Sequence, residues 1–122
     1  MKIKEITDEA IIFDNGTTIT YEHDPDCCEE NYPVFKYLKG EAGVFDRDFP
    51  EDIAVEGVKD FGFRFGGKFG LVSVPCYSIQ MSGMYSTAVD IVITYPDSTK
   101  KIVSIDGQLA DPIKRTKKQV MG

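Results

Sequence analysis

The dipeptide Asn15-Gly16, which separates two runs rich in β-branched residues, constrains the fold of this chain more than any other feature. Both residues tolerate the positive φ angles that a tight hairpin turn requires, so a β-hairpin is predicted between residues 9–14 and 17–22. A two-residue loop would place Ile12 opposite Ile19. The face that carries these two side chains is then expected to be the buried one.

Apolar residues alternate with polar ones along much of the remaining chain, which is typical of strands. Further strands are predicted over residues 2–6, 52–58, 61–65, 71–77, 85–95 and 101–105. Pro75 is expected to place the end of its strand at a sheet edge or at an exit from the sheet.

Asp24 and Pro25 favour a helix start, with Asp24 as the N-cap and Pro25 at the first helical position. A short helix is therefore predicted near residues 25–38. The fold class that follows is α+β, a mostly antiparallel sheet of six to eight strands with one short helix packed on it.

The composition, 42% apolar and 28% charged over 122 residues, is that of a globular chain with one core. We expect residues 1–122 to form a single domain. The sequence contains neither an apolar run of membrane-spanning length nor the apolar start of a signal peptide, which predicts a cytoplasmic protein without a membrane partner. Three cysteines, an odd number, fit free thiols in a reducing compartment.

The net charge of −6 is unevenly distributed along the chain. Residues 1–60 hold sixteen acidic against six basic side chains, a balance of −10, whereas residues 61–122 hold four against eight, a balance of +4. An acidic first half disfavours binding to nucleic acid. The basic run Lys114-Arg115-Thr116-Lys117-Lys118 is interpreted as part of a flexible basic tail over residues 107–122.

A metal site is one interpretation of the cysteines, with zinc held by His23, Cys27, Cys28 and Cys76. Adjacent cysteines on a helix point in different directions, however, and the neighbouring carboxylates oppose formation of a thiolate. We therefore favour structural thiols without a cofactor, and we predict no catalytic residue.

Two segments carry a resemblance to a known group of proteins. Asp26-Cys27-Cys28-Glu29 follows the predicted hairpin, and Gly83-Met84-Tyr85-Ser86 leads into a predicted strand. Together they resemble an uncharacterised family of short phage and prophage proteins with Asp-Cys-Cys-Glu and Gly-Tyr-Tyr-Ser segments. The resemblance implies a phage origin and a host bacterial cytoplasm, but no activity.

Three functions stay open from the sequence. The first is a non-enzymatic accessory factor that acts on a host protein, for example as an inhibitor of a defence system, and that uses the acidic half of the chain. The second is a metal- or thiol-dependent site at the cysteines. The third is a sponge for a small signalling molecule, with Tyr77, Tyr85 and Arg64 as its binding residues. The oligomeric state is not predicted.

Overall fold

The computed structural model describes residues 1–23, 29–68, 70–80, 83 and 85–110. This part of the chain contains ten strands, more than the six to eight expected, and short 3₁₀ helices at Phe35–Gly40 and Val44–Asp46. The strands are β1 Ile3–Ile6, β2 Ile11–Phe13, β3 Thr18–Glu22, β4 Glu29–Pro33, β5 Ala54–Val58, β6 Gly62–Gly67, β7 Gly70–Gln80, β8 Ala88–Thr94, β9 Lys100–Asp106 and β10 Gln108–Ala110. The predicted predominance of antiparallel strands is confirmed. None of the helices in this part of the chain is long and apolar enough to cross a membrane.

The strands form two sheets. The first has the order β1-β2-β3-β8-β9, and the second has the order β10-β7-β6-β5, with β4 also paired to β7. β7 is the longest strand, and its partners change along its length: β6 pairs with its first part, whereas β4 and β10 flank its second part. β4 and β10 must lie on opposite edges of β7, because both pair with the same residues.

Aromatic side chains from both sheets meet in the core. Phe13 of β2 packs edge-to-face against Phe65 of β6, with ring centroids 6.3 Å apart, and also against Phe49 at 5.5 Å. Tyr21 of β3 packs against Phe35 of the first 3₁₀ helix at 6.1 Å. The buried apolar residues form one cluster that includes both sheets. Burial of this cluster is the main favourable contribution to folding.

The predicted helix near residues 25–38 is wrong. Residues 29–33 form β4, which pairs antiparallel with β7, and only a 3₁₀ turn follows it. Burial alternates along β4, with Glu29, Asn31 and Pro33 facing inward. A residue before proline is restricted to extended conformations, so Tyr32 already favours a strand. The predicted cap residues Asp24 and Pro25 lie outside the described residues.

The turn at Asn15-Gly16 is confirmed, but the predicted hairpin register is wrong by one residue. Phe13 and Thr17 close a three-residue loop, with a hydrogen bond of 2.9 Å from Phe13 N–H to Thr17 O. Gly16 has a φ of 93°, whereas Asn15 has no positive φ. This is the loop that ends in a left-handed glycine, and it places Ile11 opposite Ile19. The buried face therefore carries Ile11, not Ile12.

Two further predictions fail around β7. Pro75 lies inside this strand and not at an edge: its carbonyl accepts from Val34 N–H, and the next residue, Cys76, donates to Phe61 O, both at 2.9 Å. Residues 107–110 were expected to belong to a flexible tail. Instead, Gly107 bridges Phe61, and β10 pairs parallel with β7. The basic run that follows lies outside the described residues.

Candidate functional site

At one end of the core, the inward-facing side chains of β4 and β7 are polar and not apolar. Glu29 and Asn31 of β4 lie opposite Gln80 and Ser78 of β7, and all four are buried. We call these four residues the polar end. Buried polar groups are costly unless they form hydrogen bonds, so their partners indicate what the polar end does.

Glu29 pairs with His23, the residue that follows β3. The Nε2 atom of His23 lies 2.7 Å from Oε1 and 3.0 Å from Oε2 of Glu29. The Glu29 side chain is only 4% exposed, and His23 is 16% exposed. A buried carboxylate needs such a partner, and this contact ties β3 of the first sheet to β4 of the second.

Gln80 and Asn31 hold the segment that leads into β8. Gln80 Nε2 donates to Tyr85 O at 3.2 Å, and Gln80 Oε1 accepts from Tyr85 N–H at 2.7 Å. Asn31 Nδ2 donates to both Ser86 O and Ala88 O at 2.9 Å. Four hydrogen bonds with the buried side-chain amides thus fix the main chain between residues 85 and 88.

A cleft of about 690 Å³ opens beside the polar end. Glu9, Glu22 and Asp90 contribute carboxylates to its lining, and Tyr21 and His23 also line it. We call it the acidic cleft. Glu22 and Asp90 lie directly opposite each other on β3 and β8. Like charges that face each other across two strands destabilise a sheet. The acidic cleft therefore concentrates negative charge at a cost to the stability of the fold.

Negative charge also surrounds Tyr21, although of the carboxylates that act on it only Glu9 lines the acidic cleft. Burial raises the pKa of Tyr21, and the carboxylates of Glu9, Glu30 and Asp8 raise it further, in that order. Lys36 offsets part of this charge, since its Nζ lies 3.3 Å from Asp8 Oδ1, but both side chains of this ion pair are well exposed. An exposed pair of this kind contributes little, and the cleft keeps its negative character.

The structure describes two of the four predicted zinc ligands, His23 and Cys76. Cys27 and Cys28 lie outside the described residues. Cys76 is fully buried in the core, and burial raises the pKa of its thiol to about 12. His23 contacts Glu29, and Glu29 lies opposite Gln80 on β7. Cys76 precedes Gln80 by four residues on the same strand, which corresponds to about 13 Å. Within the described ranges, no group of three or more His, Cys, Asp or Glu side chains is placed to hold a metal ion.

The structure separates the three predicted small-molecule residues. Arg64 lies on the exposed face of β6 and pairs with Glu56 of β5. Tyr77 stands beside Tyr32 on the outer face of β7, with ring centroids 6.3 Å apart. Tyr85 lines a different cleft, next to the β5–β6 turn and the end of β9. The three side chains therefore do not line one cleft.

Sequence reasoning missed the residues that the structure brings together. Glu22 and Asp90 are 68 positions apart and meet only through the β3–β8 register. The inward position of Asn31 was hidden by the helix predicted for β4. For Ser78 and Gln80 the available signal was the two-residue period of β7, which places both on the same face as Val72, Val74 and Cys76.

The described residues thus define a two-sheet β protein with an acidic cleft beside a polar end of its core. No protein-family model, curated protein or solved structure matches the chain.

Proposed function

We propose that this protein is a non-enzymatic accessory factor, of phage type, that binds a basic segment of a host protein in the bacterial cytoplasm through its acidic cleft. The observation that carries the proposal is the facing pair Glu22 and Asp90 in one cleft. A cationic partner would relieve the repulsion between the two carboxylates.

The shape and chemistry of the cleft support a protein partner. It is concave, and the three carboxylates of Glu9, Glu22 and Asp90 line it. Complementary charge would speed the encounter and select basic partners over acidic ones.

Catalysis is less well supported by the same residues. The buried Cys76 thiol, with its raised pKa, is a poor nucleophile at neutral pH. His23 is held by Glu29 at the edge of the acidic cleft. Binding by charge and shape requires neither an activated nucleophile nor a general base.

Neutral, isosteric substitutions test the proposal. In the Glu22→Gln/Asp90→Asn variant, affinity for a fluorescent oligolysine peptide should fall roughly 3- to 30-fold, because each exposed charge pair contributes up to about 1 kcal/mol. The matched control is Glu51→Gln/Asp52→Asn. It changes the net charge equally, but beside the Asn15 turn at the other end of the first sheet.

The two variants also test the host partner. Proteins captured from a bacterial lysate by the wild type and the control, but not by the cleft variant, would support the proposal. Captured proteins should elute as salt is raised, since screening weakens exposed charge pairs. Equal peptide affinities for the two variants would refute the acidic cleft as the binding site.

A metal- or thiol-dependent site with Cys27 and Cys28 is the second candidate, and the contact between Glu29 and His23 favours it. Carboxylates often orient histidine ligands in this way. Native mass spectra of the wild type and Cys28→Ser distinguish the candidates. A metal adduct on the wild type that the variant lacks would favour the metal site, whereas bare chains in both would remove it.

A further inference from the structure

A second cleft, of about 570 Å³, lies where the β5–β6 turn, residues 85–87 and the end of β9 meet. It has the volume of a small-molecule site, for which about 300–1,000 Å³ is usual. Hydroxyl groups are frequent in its lining, and we call it the hydroxyl cleft. The residues that provide them are Tyr85, Ser86, Thr87 and Ser104.

One wall of the hydroxyl cleft is rigidly held. The amides of Asn31 and Gln80 fix the main chain of residues 85–88 from within the core. On the other side, Gly107 N–H donates to Thr87 O at 3.0 Å, which ties the wall to the end of β9. A wall that is ordered before the ligand arrives lowers the entropic cost of binding.

The lining also determines which ligand chemistry fits. Asp60 and Asp106 add carboxylates, and Lys59 adds a single ammonium group. Carboxylates and hydroxyls accept hydrogen bonds from alcohols, and a carboxylate is a common partner of ribose hydroxyls. The excess of negative charge disfavours phosphates. Tyr85 adds an aromatic face on which a ring can pack.

We propose that the hydroxyl cleft binds a small uncharged molecule with a vicinal diol, such as a ribonucleoside or a sugar. Ser104 and Asp106 hold the diol, and Asn31 and Gln80 act as positioning residues for the opposite wall. This site shares no lining residue with the acidic cleft, although Ser104 lies opposite Asp90 on β8 and β9, and it does not depend on the proposed protein partner.

Amide chemical shifts of the ¹⁵N-labelled full chain provide the test, with adenosine, 2′-deoxyadenosine, glucose and adenosine monophosphate as probes. At about 5 mM probe, enough for a Kd of about 1 mM, adenosine or glucose should shift the amides of Lys59, Thr87 and Ser104. Deoxyadenosine should bind at least tenfold more weakly than adenosine, since the carboxylate would lose its hydroxyl partner.

Variants complete the experiment. Ser104→Ala/Asp106→Asn should weaken binding about tenfold or more, because hydrogen bonds to a charged group are lost. The control Ser73→Ala/Asp46→Asn, at exposed positions outside the cleft, should bind like the wild type. The proposal is overturned if neither adenosine nor glucose shifts these amides, if adenosine monophosphate binds as well as adenosine, or if the cleft variant keeps full affinity.

Discussion

Raising the pH above 9 should destabilise this protein because one thiol, that of Cys76, is buried. Burial raises the pKa of Cys76 from 9.0 to about 12 in the folded state. The unfolded chain exposes the thiol to water and restores its ordinary pKa. Below pH 9 the thiol is protonated in both states, and it adds no pH dependence to the free energy of unfolding.

Above pH 9 the unfolded chain loses this proton first, and the folded state therefore loses stability until the pH approaches 12. Each pH unit in this window costs about 1.4 kcal/mol, so the loss reaches about 2 kcal/mol at pH 10.5 and about 4 kcal/mol at pH 12. Even the smaller loss is a large fraction of the stability of a typical domain.

Urea denaturation followed by circular dichroism measures this loss in the wild type and in Cys76→Ala. Alanine leaves a small cavity that lowers stability by about 1 kcal/mol at every pH, so the comparison uses the slope with pH and not the absolute stability. Between about pH 8 and pH 10.5 the wild type should lose about 2 kcal/mol more than the variant. Tyr21 and Tyr95, whose pKa values burial also raises, titrate in both proteins and cancel.

Parallel stability curves for the two proteins would refute this reasoning about Cys76. A faster check uses iodoacetamide near neutral pH, where the native protein should protect Cys76 and the urea-unfolded protein should not. Rapid alkylation of Cys76 in the native state would show that the thiol is accessible to solvent.

Four further substitutions should change stability, and urea denaturation measures the effect of each. Ser98 has a φ of 72° and occupies the loop position that Gly16 holds in the β2–β3 hairpin. Ser98→Gly should therefore raise the free energy of unfolding by about 0.5–1 kcal/mol. Gly16→Ala should lower it by about 1 kcal/mol because of the positive φ alone, since the added Cβ would contact nothing. A less stable Ser98→Gly protein would contradict this account of the two turns. Glu22→Gln should add about 0.2–1 kcal/mol by relieving repulsion with Asp90, and an unchanged midpoint would show that the carboxylates do not interact. Asn31→Leu should remove about 2–4 kcal/mol, since it leaves two carbonyls without their donor, and a loss below about 1 kcal/mol would mean that the segment is held by other contacts.

The hairpin turns show how far local sequence determines the fold. Asn15-Gly16 located the first turn correctly, but the register depends on whether Asn15 adopts a positive φ, and both loop types accept this dipeptide. The β8–β9 turn uses the same three-residue loop with Ser98 in place of glycine. In both, an Asx oxygen accepts the N–H of the following threonine: Asn15 Oδ1 from Thr17 and Asp97 Oδ1 from Thr99, each at 3.0 Å. The Asx residue and the threonine two positions after it therefore indicate this loop in the sequence better than the glycine does.

The segment over residues 29–33 shows where local signals mislead. Acidic residues after a proline are typical of a helix start, yet the main chain of β4 pairs with β7 over five residues. Hydrogen bonds to a partner strand and burial of alternate side chains outweigh helix propensities, which differ by less than about 1 kcal/mol per residue. The buried Glu29 is stable there because His23, which follows β3, accompanies it.

Both proposed sites follow from strand pairing and not from any contiguous segment. The acidic half of the chain was evident from composition, but only the β3–β8 register turns Glu22 and Asp90 into neighbours. The hydroxyl cleft likewise depends on β4, because Asn31 of that strand holds one of its walls. The helix predicted in place of β4 hid this support, and the lining residues themselves come from three separate segments that meet only in the tertiary structure. The two clefts share no lining residue, but Ser104 of the hydroxyl cleft lies opposite Asp90 of the acidic cleft on β8 and β9. Effects at neighbouring positions need not add, so the hydroxyl-cleft variant, which removes one carboxylate, should weaken oligolysine binding less than the acidic-cleft variant, which removes two. An equal or larger loss in the hydroxyl-cleft variant would contradict the assignment of the peptide to Glu22 and Asp90.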